Sequence, residues 1–219
     1  MTFQRARSAE NKELRRAAIL QAATRVLDRD GLPGTSLNAI AREAGMVKSG
    51  LYKYFESREE ILLRLMLVDM ADMTMALETT VIGPMKPDDL AVSIAQGFAS
   101  RPRLCQFISQ LAMTLERNVS GAVLRDIKLS LLEEGGRAAG AFCRALPGLT
   151  AEDAMLAVHM VFTLVAGHWP MATPSGDLKT LLEEPQFADF NHDFEPFLRV
   201  SLTAALAGLV NRAGKPVAG

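Results

Sequence analysis

The sequence predicts an all-α fold for this chain of 219 residues, and three observations lead to that prediction. Apolar residues recur at intervals of three and four, the spacing that places them on one face of a helix. No run alternates between apolar and polar residues, and no Asn-Gly turn joins two such runs. Glycine, proline and capping residues separate the periodic segments, which marks them as successive helices.

The N-terminal part is predicted to contain three short helices and one long one. Glycine and proline end the first helix, and Thr35 and Ser36 offer an N-cap for the second. A glycine separates the second helix from the third, and a Ser-x-x-Glu capping box opens the fourth. The predicted spans are 11–29, 36–44, 47–53 and 57–80.

The rest of the chain is predicted to form five further helices, with a long connection before the last. Their spans are 88–100, 102–117, 120–145, 150–169 and 192–212, and a short helix at 177–183 lies in the connection. Thr150 and Asp153 form a cap pair at the start of the helix 150–169. We therefore place an N-terminal domain at 11–65, a C-terminal domain at 66–212 and a frayed tail at 213–219.

Charge is distributed unevenly along the chain. Residues 1–64 contain 12 Lys and Arg against 8 Asp and Glu, a net charge of +4, whereas the remaining 155 residues carry −5. This asymmetry favours a polyanion-binding N-terminal part. Cys105 and Cys143 are far apart and outside any Cys-x-x-Cys motif, so we expect reduced thiols. No signal peptide or uninterrupted apolar stretch of about 20 residues appears, so we expect a cytoplasmic protein with no membrane partner.

No catalytic motif is found, so the chain is not expected to be an enzyme. HExxH, GxSxG and the dinucleotide glycine fingerprint are all missing from the sequence. His159, His168 and His192 lack the Glu-x-x-His spacing of a helical metal site. The sequence therefore predicts no cofactor and no metal.

The second and third helices follow the helix-turn-helix plan, in which a glycine permits a tight turn and the second helix enters the DNA major groove. The third helix is too short to be stable alone, and we expect Leu51 and Phe55 to anchor it. Lysines beside it favour phosphate contact. The plan predicts binding to double-stranded DNA.

The stretch "TSLNAIAREAGMVKSGLYKYFESREEIL" resembles the DNA-binding domain of the TetR family of transcriptional regulators. The residues in register with that family's pattern are Thr35, Ile40, Ala41, Ala44, Gly45, Leu51, Tyr52, Tyr54, Phe55, Glu59 and Ile61. Two positions depart from it. Val47 stands where the family usually has a capping residue, and Gly50 replaces a common Thr.

The resemblance implies two kinds of DNA contact. Phosphate contacts fall to Ser36, Tyr52, Lys53 and Arg58, and Gly50 permits close approach of the backbone. Tyr54 either contacts phosphate or serves packing alone. Asn38, Lys48 and Ser49 are candidates for base edges, and for Lys48 a plain phosphate contact stays open.

In the family, the C-terminal helices enclose a small-molecule cavity. The resemblance implies an apolar or amphipathic ligand of unknown identity and these lining residues: Met70, Met73, Phe98, Phe107, Leu111, Met113, Phe142, His159, Phe162 and Trp169. Each methionine could equally belong to an ordinary core, and His159 is either a core histidine or a ligand contact.

The last two long helices are those that the family uses for dimerisation. The implied homodimer interface comprises Phe194, Phe197, Leu198, Leu202, Ala205 and Leu209. The expected function is a repressor released from a pseudo-palindromic operator by ligand. The alternatives are an activator, or a DNA-binding regulator controlled by a protein partner.

Overall fold

The computed structural model describes the backbone of residues 2–190 and 193–213 and the side chains of residues 10–190 and 193–212. Every regular element in these ranges is helical, which confirms the predicted all-α fold. The helices are α1 (Thr2–Gly34), α2 (Leu37–Glu43), α3 (Lys48–Leu51), α4 (Arg58–Thr80), α5 (Pro87–Ala99), α6 (Pro102–Gln110), α7 (Gly121–Ala145), α8 (Ala151–Ala172), α9 (Gly176–Leu182) and α10 (Phe194–Ala213). His192 and most of the predicted tail lie outside the described residues.

Two of the longer predicted helices have the wrong span. α1 begins at residue 2 and bends at Gly31, where φ is +67° and ψ is 178°, before one last turn. The hydroxyl of Thr35 closes that turn by donating to the Gly31 carbonyl at 2.7 Å. The helix predicted at 102–117 ends early, because α6 passes into a π-helical turn at Leu111–Leu115 and a 3-10 turn at Glu116–Asn118.

The predicted caps of α4 and α8 are confirmed. The Ser57 hydroxyl accepts from the Glu60 N–H at 3.0 Å, while the Glu60 carboxylate accepts from the Glu56 N–H at 2.7 Å. The Thr150 hydroxyl accepts from the Asp153 N–H at 3.0 Å. These local bonds satisfy N–H groups that the first turn of a helix leaves without partners.

The chain divides into two compact units, and the first is discontinuous in sequence. It contains the residues up to 67 together with 112–127. Its interior is formed by apolar side chains of α1, α2 and α3, with Ile61, Leu62 and Leu63 of α4 fully buried. Leu115, which follows in the chain only after a long interval, is also fully buried.

The second unit contains residues 68–111 and those from 128 onward. In it, α10 packs along α5, and α6 packs against α8. α8 is the one described helix that is long and apolar enough to cross a bilayer, with a mean hydropathy of 1.3. Polar residues such as His159 interrupt the apolar sequence of α8, so this helix contains no uninterrupted apolar stretch long enough to span a bilayer. Only 28% of the 18-residue apolar window of α8, to which this mean hydropathy refers, is buried within the chain.

Candidate DNA-binding surface and apolar cavity

The turn between α2 and α3 depends on Gly45, whose φ of +64° lies in the left-handed region. The Ser36 hydroxyl accepts from the Ala39 N–H at 3.2 Å and caps α2 as predicted. Val47 precedes α3 and supplies no side-chain cap. The predicted helix 47–53 is therefore reduced to a single turn of four residues, which requires tertiary contacts for stability.

Two apolar anchors and one arginine provide those contacts. Leu51 is fully buried and Phe55 is 2% exposed, as the sequence predicts. The Arg16 guanidinium lies 4.4 Å from the centroid of the Phe55 ring and donates to the Tyr54 carbonyl at 2.5 Å. It also lies 3.6 Å from the Glu60 carboxylate. A cation–π contact and a charge-assisted hydrogen bond thus attach α1 to the segment after α3.

Five of the nine predicted DNA contacts line one shallow groove of about 570 Å³ in the first unit. They are Ser36, Asn38, Lys48, Tyr52 and Arg58. Asn38 and Lys48 are exposed, and so is about half of the Tyr52 surface. Ser49, Gly50, Lys53 and Tyr54 do not line the groove. Among these, Ser49 and Lys53 are exposed, whereas Tyr54 is half-buried.

Arg58 is engaged within the protein, so it differs from the phosphate-contacting cation that the resemblance implies. Its Nε donates to the Thr35 carbonyl, and its Nη2 donates to the Leu32 carbonyl at 2.6 Å. Its Nη1 donates to the Glu59 carboxylate at 3.2 Å. These bonds join the connection between α1 and α2 to the start of α4. Arg58 therefore positions one wall of the groove.

The sequence did not predict the contacts of Arg16 or the hydrogen bonds that hold the Arg58 guanidinium within the protein. Both depend on partners more than 20 residues away, which no local spacing reveals. The sequence also did not predict the ion pairs that Glu43 forms with two arginines of α1. The Arg25 and Arg29 guanidiniums hold the pKa of the Glu43 carboxyl below its usual range, with hydrogen bonds of 2.7 and 3.2 Å. This carboxylate stays ionised and links α1 to α2.

The second candidate site is an apolar cavity of about 370 Å³ in the second unit. Seven of the ten predicted ligand contacts line it: Met70, Met73, Phe98, Leu111, Phe142, His159 and Phe162. The other three do not. Phe107 is buried outside the wall, Met113 is exposed, and Trp169 packs edge-on against Phe194 with ring centroids 4.9 Å apart.

One wall of the cavity was not predicted. α7 contributes Lys128, Leu131, Leu132, Glu134, Gly135 and Ala138. The available signal was the spacing of Leu131, Gly135 and Ala138 at i, i+4 and i+7, whereas most of the predicted lining residues are aromatic residues and methionines. His159 and Leu132 are exposed, so the cavity opens to solvent beside them. His159 is therefore a residue of the cavity mouth and not a core histidine.

The predicted interface residues of α10 are divided between two faces. Phe194, Leu198, Leu202 and Leu209 are buried within the protomer, where α10 packs along α5. These four side chains are not available to a second copy. Phe197 and Ala205 are half-buried. Apolar residues occur on more than one side of α10, so periodicity did not distinguish its inner face from its outer face.

An exposed stripe of small and apolar residues runs along the other face of α10. We call Val200, Ala204 and Gly208 the α10 stripe; all three are exposed and lie four residues apart. A similar α8 stripe consists of Leu156, Thr163, Gly167 and Met171, which are also exposed. Open space surrounds the Cβ positions of both glycines, so each helix permits close approach.

Both cysteines are free, as predicted. Cys105 is buried, and burial raises the pKa of its thiol to about 12, which leaves it protonated and unreactive near neutral pH. Cys143 is half-buried. Within the described residues, no group of three or more His, Cys, Asp or Glu side chains is placed to hold a metal ion.

The chain was compared with known proteins. Residues 19–65 match the family described as "Bacterial regulatory proteins, tetR family", and residues 67–213 match "Tetracyclin repressor-like, C-terminal domain". The HTH-type transcriptional regulator Mb1846 of Mycobacterium bovis is 42% identical over 84 residues, which is 36% of each chain. The regulator YfiR of Bacillus subtilis is 39% identical over 56 residues, 26% of this chain and 27% of its own. The chain thus spans about a third or less of the length of these curated relatives.

Solved structures share the fold over most of the chain. A TetR transcriptional regulator from Rhodococcus sp. RHA1 has a TM-score of 0.59 at 16% identity, covering 93% of this chain and 98% of that one. FadR from Bacillus subtilis, in complex with stearoyl-CoA, has a TM-score of 0.53 at 19% identity, covering 87% and 96%. The helix-turn-helix around Gly45, the capped α4 and the matches over both parts of the sequence agree, and the chain belongs to the TetR family of helix-turn-helix transcriptional regulators.

Proposed function

We propose that the protein is a homodimeric repressor that leaves its operator when a small apolar or amphipathic molecule enters the cavity. The observation that carries this proposal is that one helix, α4, contributes residues to both candidate sites. This single helix begins at Arg58, which bonds to the groove-forming connection between α1 and α2. Its second half supplies Met70, Met73, Thr74 and Leu77 to the cavity wall. A ligand that shifts this helix changes the presentation of the groove, so ligand and DNA oppose each other by linkage.

On the DNA side, some residues are candidates for contacts with base edges and others for contacts with phosphates. Asn38 and Lys48 are the candidates for base edges, with Ser49 beside them in α3. Ser36, Tyr52 and Lys53 bind phosphate, while Tyr54 serves mainly packing. Arg58 holds the groove wall instead of binding phosphate, because its guanidinium is occupied by Thr35, Leu32 and Glu59. In a dimer, the two recognition helices would address half-sites about 34–36 Å or a multiple apart.

On the ligand side, the cavity has the size and character of a small-molecule site. Its volume of about 370 Å³ falls in the range of roughly 300–1,000 Å³ typical of such sites. Most of its lining is apolar, with a few polar groups near the exposed mouth. FadR of Bacillus subtilis, which shares this fold, was solved with stearoyl-CoA. That neighbour is a reason to include acyl-chain compounds in a ligand screen.

The homodimer is supported by the two exposed stripes. α8 is apolar enough to cross a bilayer, yet only 28% of its apolar window is buried, so a large apolar surface faces outward. Water-exposed apolar patches of that kind mark interaction sites. We assign the interface to the α8 and α10 stripes and not to the buried leucines of α10. A Gly208→Arg variant should be monomeric by light scattering, whereas Ile82→Arg, at another exposed position, should stay dimeric.

Two alternatives keep the same DNA contacts. A protein-controlled regulator would not need a cavity with an open mouth, so the cavity favours a small molecule. An activator would bind the same operator, and a promoter–reporter fusion with and without the gene distinguishes it from a repressor. We place the protein in the cytoplasm, without enzymatic activity of its own.

The test is fluorescence anisotropy on the full chain with the intergenic DNA beside its own coding region, across a salt series and with random-sequence competitor. We expect binding in dimer steps that survives the competitor, and a ligand from the screen should weaken it. Binding that competitor abolishes, with only a steep salt dependence left, would contradict a local specific regulator. A cavity ligand that leaves DNA affinity unchanged would contradict the release mechanism.

A further inference from the structure

Gly97 in α5 is placed against the tip of Met73 in α4. A Cβ at Gly97 would lie 2.5 Å from the Met73 Cε and 2.8 Å from its Sδ. Gly97 has no positive φ, so the backbone does not require glycine there. Glycine inside a helix is unfavourable relative to alanine. What the glycine permits at this position is the close approach of the Met73 thioether.

Met73 lies between two separate spaces of the second unit. On one side is the apolar cavity of about 370 Å³. On the other is a groove of about 360 Å³ between α4 and α5, lined by Met73, Ala76, Leu77, Thr80, Ser93, Gln96, Gly97 and Ser100. Only Met73 and Leu77 line both spaces. The Met73 side chain, which is 5% exposed, therefore forms part of the wall that divides them.

The groove differs from the cavity in its chemistry. None of its lining residues carries a charge. The hydroxyls of Thr80, Ser93 and Ser100 each donate to a backbone carbonyl, at 2.9, 3.0 and 3.0 Å, and their oxygens retain capacity to accept. Gln96 adds a side-chain amide. Such a lining suits an uncharged group that donates and accepts hydrogen bonds.

We infer that the cavity and the groove are two parts of one binding site, and that Met73 is a displaceable wall between them. The site takes an elongated ligand with an apolar body and an uncharged polar end. The body fills the cavity, and the polar end passes Met73 to reach the groove. Methionine suits this role because its unbranched chain changes rotamer easily. The inference rests on the proposed ligand cavity and adds the shape and polarity of the ligand.

Gly97→Ala tests the proposed wall between cavity and groove, because the added methyl group would occupy the space that the Met73 thioether now fills. The assay is displacement of N-phenyl-1-naphthylamine, a neutral fluorescent apolar probe, from the full chain by 1-hexanol or by 1-dodecanol. In Gly97→Ala the thioether can no longer keep its position in the wall, so dodecanol need not displace it and its affinity should rise about fivefold or more, with hexanol unchanged. Gly136→Ala is the matched control, since a Cβ there meets nothing within 4 Å, and it should behave as wild type.

A double variant shows whether the effect passes through Met73. Met73→Ala removes the side chain that the methyl group introduced by Gly97→Ala would meet, so the double variant should bind dodecanol within about twofold of Met73→Ala alone. Dodecanoate should bind wild type more weakly than dodecanol, because no residue that lines the groove is cationic. The neighbouring Arg101 guanidinium already donates to the Gly97 carbonyl at 2.9 Å and to the Ser100 hydroxyl at 3.2 Å.

Three results would overturn the inference. Equal dodecanol affinities in Gly97→Ala and Gly136→Ala would do so, as would a further gain when Gly97→Ala is added to Met73→Ala, or dodecanoate binding as tightly as dodecanol. If hexanol does not displace the probe from wild type at all, the ligand cavity itself is refuted, and this inference with it. Hexanol binding without any effect of Gly97→Ala refutes the displaceable wall alone.

Discussion

The two units of this protein use opposite means to hold their helices. In the first unit, a four-residue helix is fixed by buried Leu51 and Phe55 and by Arg16, and Arg58 ties the neighbouring connection to α4. In the second unit, helices of up to 22 residues leave a cavity of about 370 Å³ among apolar side chains. A surface that recognises a sequence needs fixed geometry, whereas a sensor needs contacts that a ligand can replace. The following substitutions test this difference.

The largest expected effect comes from a matched pair of leucines. Leu51 in α3 is fully buried, and Leu77 in the cavity wall is 6% exposed. Leu51→Ala should cost free energy of unfolding in the upper part of the range of about 2–5 kcal/mol. Leu77→Ala should cost less, because one side of Leu77 already faces empty space. Urea unfolding followed by circular dichroism, at one protein concentration, measures both. Equal losses would remove the distinction between the units.

A pair of arginines gives the next largest effect. Arg58→Ala removes charge-assisted bonds to two backbone carbonyls, of Leu32 and Thr35, and should cost about 1–3 kcal/mol. It should also speed hydrogen exchange in α2. Arg199 pairs with Asp88 at 2.8 Å on the surface of the second unit, and Arg199→Ala should have a smaller effect, since exposed ion pairs contribute little. The opposite ranking would show that Arg58 does not position the groove.

Val47→Ser should stabilise the first unit. Val47 precedes α3 without providing a side-chain cap, and a serine hydroxyl there can accept from an N–H of the first turn. The expected gain is about 1 kcal/mol. Val68→Ser, at an exposed position within α4, should give no gain, because an internal helical position has no free N–H groups to cap. If the two variants respond alike in urea unfolding, the missing cap does not limit α3.

The smallest effect concerns acid stability in the second unit. The Arg212 guanidinium and then the Thr150 hydroxyl hold the pKa of the Asp153 carboxyl below its usual value of 3.8. The folded protein therefore keeps this charge at lower pH than the unfolded chain does. The resulting stabilisation is complete above about pH 4 and is lost as the pH falls through the lower folded pKa. Asp153→Asn should shift the urea midpoint near neutral pH and much less in acid. A shift that is constant with pH would contradict this assignment.

Local signals made most of the first unit predictable. The caps at Ser36 and Ser57, and the turn at Gly45, each depend on residues within a few positions, so their sequence signatures are sufficient. The buried anchors Leu51 and Phe55 followed from the shortness of the helix that they hold. The roles of Arg16 and Arg58 were not predictable, because their partners are distant in sequence.

The second unit was less predictable for a different reason. Its helices are apolar on more than one face, so periodicity identifies the helix but not the side that packs inward. The leucines of α10 therefore appeared suited to an interface, whereas they contact the protomer's own α5. The cavity depends on where helices stop short of each other, which is decided by packing between remote segments. The wall contributed by α7 was missed for that reason.

The discontinuity of the first unit sets a limit on protein engineering. Fusion proteins are commonly built by cutting a chain at one place, and residues 1–65 would look like a convenient portable module. Such a fragment would lose the bond from the Ser120 N–H to Glu56 at 2.5 Å and the ion pair of Arg64 with Asp126 at 2.6 Å. It would also expose the apolar surface against which Leu115 and Ile127 are buried in the intact unit. A graft of this DNA-binding unit onto another sensor must carry residues 112–127 with it.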